Sequence, residues 1–235
     1  MSISETLMIC DDSYKGFFTD ENKALLENIL NEISSDTYFP DIYNIFLFAR
    51  IPIENIKCVF LGMEPYASWF MAGDSLMSEA TGRSFEVRSI SDWNRKFKQS
   101  SLRNILKSLY YLHTGQKESL DIIREKINNG EFPLSQPHVW FDKMEEQGVV
   151  FLNASLTVKK DMPNSHKALW AKFTTRLIEY INYKNPHIKW ILAGNQAHEK
   201  ALNLTSNSIA THHPRLDSFV TECPFKYVKE VNWIR

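Results

Sequence analysis

Glu64 stands in the turn Gly62–Met63–Glu64–Pro65–Tyr66, where Pro65 fixes its own φ and biases Glu64 toward extended geometry. A carboxylate held this way can stabilise a cationic, oxocarbenium-like sugar and orient a water against it, which is what cleavage of a glycosidic bond requires. Asn153 closes an apolar run, and its carboxamide offers two donors and an acceptor oxygen that can match a pyrimidine edge. His213 precedes Pro214, and a neutral imidazole there can donate a hydrogen bond to a leaving base that becomes anionic. Phe85, within GRSFEV, can stack on a base, an interaction worth about 1–3 kcal/mol. Each also has a structural explanation: a loop carboxylate capping a helix, a buried amide serving a neighbouring loop, a loop histidine and a core phenylalanine. His212 would point away from its neighbour, and His166 in NSHK reads as an organiser of its loop rather than a catalyst.

These residues must be delivered by regular elements. Four short runs, Ile56–Gly62, Gly148–Asn153, Ile188–Gly194 and Ser208–Thr211, are apolar on both alternating sets, as expected of strands covered on both faces. Between them, Leu102–Leu112 and Leu169–Tyr183 repeat apolar residues at helical spacing. Strands separated by helical crossovers indicate an α/β domain with a central four-stranded parallel sheet flanked by helices. In open parallel sheets ligands bind beyond the carboxyl ends of the strands. Glu64–Pro65–Tyr66, Asn153, Asn195–Gln196 and His212–His213–Pro214 all follow or close a strand, which directs them to one crevice. Thr19–Arg50 reads as mostly helical with a turn near Pro40, so residues 1–50 form a helical extension packed on a single domain spanning 1–235.

Composition narrows the function classes. With 43% hydrophobic and 23% charged residues over 235 positions, the chain can bury one sizeable core. No stretch approaches the roughly 18 uninterrupted apolar residues of a membrane span, and Met1–Asp11 lacks a signal-peptide pattern, so an intracellular, cytoplasmic protein is expected, nuclear if from a eukaryote. Cys10, Cys58 and Cys223 lack metal-type spacing and read as free thiols; no metal or cofactor is expected. A net charge of −1 argues against a protein that coats nucleic acid through bulk electrostatics. Basic residues do gather at Arg95, Lys96, Lys98, Arg103 and Lys107, and at Lys159, Lys160, His166 and Lys167, where solvated surface is the alternative.

Taken together and in order, FLGMEPY, GRSFEV, SLRNILKSL, GVVFLNASLTV, NSHKALWAKFT, ILAGNQAHEKA and THHPRLDS resemble the uracil-DNA glycosylases, and most closely their first family, over about Ile56–Ser218. FLGMEPY is similar to the strand and water-activating motif usually written GQDPYH, and THHPRLDS to the loop usually written HPSPLS. The resemblance implies a metal-independent glycosylase acting on a nucleotide flipped out of single- or double-stranded DNA. It places Glu64 at the water-positioning place, Tyr66 at the wall against a C5-methyl group, Phe85 at the stacking platform, Asn153 at the uracil-reading amide and His213 facing the uracil O2. Met63 falls within the same base-contacting motif. Ser165, His166, Arg215 and Leu216 fall in the DNA-contacting loops, and the protein is expected to be a monomer.

This chain departs from the family pattern at defined points. Glu64 replaces an Asp, Ala67 replaces the closing His, and the segment between Tyr66 and Phe85 is longer. Arg215 and Leu216 replace Ser-Pro, so the wedging leucine is either Leu216, displaced by one position, or absent. Three activities therefore remain open at this level: uracil excision with reduced rate, excision of a different modified base, and a catalytically weak glycosylase-like protein that binds DNA or a replication partner.

Overall fold

The computed structural model describes residues 7–235. Helix α1 (Asp20–Glu32) starts where the Thr19 side chain accepts the Asn22 N–H, with Asp20 and Glu21 complementing the helix dipole. Strand β1 (Tyr38–Phe39) follows, then 3₁₀ turns at Ile42–Asn44, Leu47–Arg50 and Ile53–Asn55. The expectation of mostly helix over Thr19–Arg50 with a turn near Pro40 is met by α1 and the short 3₁₀ turns, with β1 between them. The segment after α1 is held by tertiary packing: Phe46, Phe48 and Ala49 are buried, and β1 pairs antiparallel with a strand far along the chain.

Strand β2 (Cys58–Gly62) leads into a hairpin of β3 (Trp69–Ala72) and β4 (Ser75–Ser78), and then α2 (Ser100–Thr114), α3 (Leu120–Asn128) and α4 (Pro137–Glu146). Strand β5 (Val149–Asn153) is followed by β6 (Val158–Lys159), the partner of β1, and by α5 (Lys167–Lys184). Strand β7 (Lys189–Ala193), helix α6 (Asn195–Ala201), strand β8 (Ser208–Thr211) and helix α7 (Ser218–Glu222) complete the order. The hairpin occupies the lengthened segment after Tyr66, for which the sequence reading placed no element.

The central sheet has order β5–β2–β7–β8 with every pairing parallel, as expected. Alternate residues of each strand feed opposite cores. Cys58, Phe60, Val149, Phe151, Ile191 and Ala193 pack with α2, α3 and α4, whereas Val59, Leu61, Val150, Leu152, Trp190 and Leu192 pack with the N-terminal segment and α5. The alternation fixes register, because a one-residue slip would exchange the two sets. Register in turn sets Gly62 opposite Asn153 and Ala193 opposite Thr211, so the strand ends that carry polar residues share one edge of the sheet.

Candidate active site

The parallel ladder runs past the last paired residues: the Gly62 carbonyl accepts the Ala154 N–H at 3.0 Å and the Met63 carbonyl accepts the Ser155 N–H at 2.9 Å. These bonds hold the first motif against the end of β5. Gly62 makes the site possible by lacking a side chain. A Cβ there would lie 3.0 Å from Asn153 Oδ1, 3.0 Å from Ser84 Cβ and 3.1 Å from Phe85 Cζ. Gly62, Ser84, Phe85 and Asn153 therefore meet around the space that a Cβ at position 62 would fill, and this space is the recess of the site. Asn153 is 3% exposed, yet its carboxamide has no hydrogen-bond partner among the described residues. An amide with no protein partner leaves its two donors and its acceptor free to meet a ligand here.

Phe85 adopts φ +67°, a left-handed conformation uncommon for a bulky residue and costing on the order of 1–3 kcal/mol. The neighbouring Ser84 anchors it to the sheet: its Oγ donates to the Phe60 carbonyl at 3.0 Å and its N–H to the Phe151 carbonyl at 3.1 Å. The Phe85 ring lies 4.5 Å from the Phe60 ring and 6.3 Å, edge to face, from His213.

His213 is half-buried, and its surroundings fix its tautomer. The Arg215 backbone N–H donates to Nδ1 at 3.1 Å, so Nδ1 is unprotonated and Nε2 carries the proton of the neutral ring. Burial, aided by the Arg215 charge, holds its pKa below the ordinary imidazole value, which keeps the ring neutral at pH 7. The loop is fastened from two sides. Asn104, buried on α2, donates to the Pro214 carbonyl at 2.8 Å, while Glu222 accepts from Thr211 Oγ1 and the His212 N–H and engages His212 Nδ1. Gly194, at φ +87°, admits this loop, because a Cβ would lie 2.8 Å from His213 Cβ. The left-handed φ and the contact both exclude larger residues there.

Glu64 is half-buried, and its Oε2 accepts the Asn164 N–H at 2.7 Å; Oε1 has no partner among the described residues. Burial raises its pKa, opposed by the Asn164 bond and the Lys167 charge. Asn164, Met63, Gln196, His213, Arg215 and Leu216 line a cleft of about 390 Å³ opening beside the recess. Leu216 is 44% exposed at its edge, and Gln196 Oε1 is buried without a partner. Tyr66 is half-buried against the core containing Phe60 and Phe85, where burial raises its hydroxyl pKa. Ala67 packs instead with Phe39, Ala80 and Val158, turned to a separate apolar cluster.

The structure thus gathers Gly62, Met63, Phe85, Asn153, His213, Arg215 and Leu216, with Glu64 joined through Asn164. His166 stands apart. It is 2% exposed, with Nδ1 bonded to Thr157 Oγ1 at 2.9 Å and Nε2 to Asp36 Oδ2 at 3.2 Å, so the expected DNA contact is replaced by an internal tie. Ser165 is half-buried, its Oγ taken by the Lys159 N–H at 2.8 Å. Two supporting residues escaped the sequence reading. Asn104 was marked only by being polar within an apolar helical stripe, and Asn164 by its φ of +65°, a conformation Asn tolerates better than most residues. Among the described residues no group of three or more His, Cys, Asp and Glu side chains could hold a metal, and no helix is long and apolar enough to cross a membrane.

No family model matches the chain. It is 30% identical over 213 residues to a uracil-DNA glycosylase of Brevibacillus brevis, covering 88% of this chain and 77% of the relative. It is 28% identical over 228 residues to one of Alkaliphilus metalliredigens, covering 89% and 86%. Among solved structures, the wild-type UNG crystal structure from Nitratifractor salsuginis superposes with a TM-score of 0.75 at 18% identity over 97% of this chain and 95% of that one. Mimivirus uracil-DNA glycosylase gives 0.66 at 20% identity, covering 89% and 71%. The structural matches establish a shared fold, and the sequence match at 30% identity over most of both chains establishes descent: the chain belongs to the uracil-DNA glycosylase family.

Proposed function

We propose that this protein hydrolyses the N-glycosidic bond of uracil in DNA, releasing the base and leaving an abasic site, as a member closest to the first family. The carrying observation is Asn153: a nearly inaccessible carboxamide with no protein partner, facing a recess that only a glycine at position 62 leaves open. Flat pyrimidine edges pair with such an amide, and Phe85 supplies a face for stacking.

In the reaction the C1′–N1 bond breaks and its electron pair passes to the departing uracil. The Nε2–H of neutral His213 donates to the uracil O2, where negative charge collects, and stabilises the anion. The Glu64 carboxylate, anchored by Asn164, stabilises the cationic sugar and presents Oε1 to a water that adds to C1′; the water's proton passes to the carboxylate and on to solvent, which reprotonates the uracil anion. Tyr66 closes the recess against a C5-methyl group, while Met63, Arg215 and Leu216 meet the DNA at the cleft. The protein acts as a single domain and a monomer, with the N-terminal segment packed on the sheet and His166 bracing the loop that holds Glu64.

One observation favours a slower enzyme: half of the Glu64 carboxylate is already engaged by Asn164. Incubation with single- and double-stranded uracil-containing oligonucleotides, followed by alkali, tests the proposal. Strand cleavage at the uracil that disappears in Asn153→Ala is expected. Intact strands at high enzyme concentration refute it, and binding without cleavage assigns the chain a DNA-binding role instead.

A further inference from the structure

The residues flanking Phe85 carry charges that the base-handling groups do not use. Arg83 is bolted to α4: its Nε donates to Glu145 Oε1 at 2.8 Å and its Nη2 to Asp142 Oδ1 at 2.7 Å and Glu145 Oε2 at 2.5 Å. Its Nη1 reaches back across Phe85 to Glu86 Oε1 at 3.3 Å. Glu86 is 3% exposed, and the same Oε1 receives His138 Nδ1, also on α4, at 2.9 Å. The other His138 nitrogen, Nε2, lies 3.1 Å from the Arg88 carbonyl. A carbonyl only accepts and an ionised carboxylate only accepts, so both contacts are satisfied together by the imidazolium form. The partnership with Glu86 correspondingly raises the His138 pKa.

Such a cluster is costly to bury and is expected only where it is fully paired. Here it grips the chain on both sides of one residue, Phe85, whose φ of +67° needs surrounding structure to hold it. Ser84 ties the same turn to β2 and β5. The turn that carries the ring is fixed from the sheet on one side and from α4 on the other.

We infer that Arg83, Glu86 and His138 are positioning residues: through paired charges to α4 they set the Phe85 ring over the Gly62–Asn153 recess and so determine how tightly the base is held. The inference rests on the reading of Phe85 as the stacking platform.

A double-mutant cycle tests it, with kcat and KM measured on a single-stranded uracil-containing oligonucleotide for the wild type, Glu86→Gln, Phe85→Ala and the double variant. Glu86→Gln is expected to raise KM about three- to tenfold, a coupling of ordinary size for residues in contact. Phe85→Ala is expected to raise it further, and the double variant to be no worse than Phe85→Ala alone, because Glu86 acts through the ring. Additive losses overturn the inference, as does a Glu86→Gln enzyme with wild-type KM. If Phe85→Ala alone leaves KM and kcat unchanged, the platform reading fails instead. Should Glu86→Gln not fold, Arg83→Lys serves in its place. It keeps the charge and loses the fork, and the same non-additivity with Phe85→Ala is expected.

Discussion

The two sides of the crevice are held by different means. Asn153, Phe85 and His213 sit at strand ends or on turns tied directly to the sheet and α2, next to buried aromatic packing. Glu64 lies on a turn whose partner is the loop after β6, residues 160–166, containing two residues at positive φ, Asp161 and Asn164. That loop is secured by the short β1–β6 pairing and by Asp36, which joins Lys159 and His166, rather than by the central sheet. The groups proposed to read the base are fixed by the central sheet and α2, where small displacements cost most. The carboxylate proposed to meet sugar and water is anchored by a loop instead, and this is where the chain carries the longer Glu side chain. The contrast predicts that this loop-held carboxylate can lengthen without disturbing base recognition.

The largest expected effect comes from breaking the rigid side. Asn153→Ala should lower kcat/KM by about 10²–10³, the scale for losing one preorganised hydrogen-bonding group, with little change in Tm because the amide has no protein partner to lose. A large fall in Tm would show that Asn153 is structural. Gly62→Ala should follow, with a loss of about a hundredfold, since the new Cβ sits 3.0–3.1 Å from Asn153 Oδ1 and Phe85 Cζ and must push one of them aside. Retained activity there would place the recess elsewhere.

On the loop-held side, Glu64→Asp should lower kcat about tenfold, because removing a methylene pulls Oε2 away from the Asn164 N–H. A gain in kcat would reverse the comparison and identify the extra methylene as a lesion. The smallest effect concerns stability. His213 titrates below its ordinary value when folded, so the unfolded chain binds more protons as pH falls below about 6.5, and stability falls with it. The Tm of His213→Gln should therefore decline less between pH 7 and pH 5 than that of the wild type; equal declines would refute the burial effect at this residue.

Much of the framework was legible because it depends on local pattern. All four strands were expected within two residues of their observed ends, since double-sided apolar runs mark covered parallel strands. The convergence of Gly62, Asn153 and His213 followed from their places after those strands. The bond between Glu64 and Asn164, 100 positions apart, was not legible, because nothing in either segment encodes the other. The same holds for Arg83 and α4. The β3–β4 hairpin had a readable signal, the Gly73–Asp74 turn between two short apolar runs, but those runs are too brief to distinguish from loop without their pairing. His166 shows the reverse: the resemblance placed it in a DNA-contacting loop, whereas Thr157, nine positions away, and Asp36, remote in sequence, draw it inside, as its reading as a loop organiser implied.

The position of β2 at the centre of the sheet, paired on one side with β5 and on the other with β7, also bears on how the protein comes into being. Parallel partners lie far apart along the chain, and the entropy of closing those long loops must be met before their contacts form. Strand β2 therefore gains both its partners only after two separate crossovers have folded. A nascent or partly refolded chain would possess helices and aromatic clusters without any place for a base. Glycosylase activity in this protein belongs to the completed molecule, and its return after denaturation would mark the last step of assembly rather than the first.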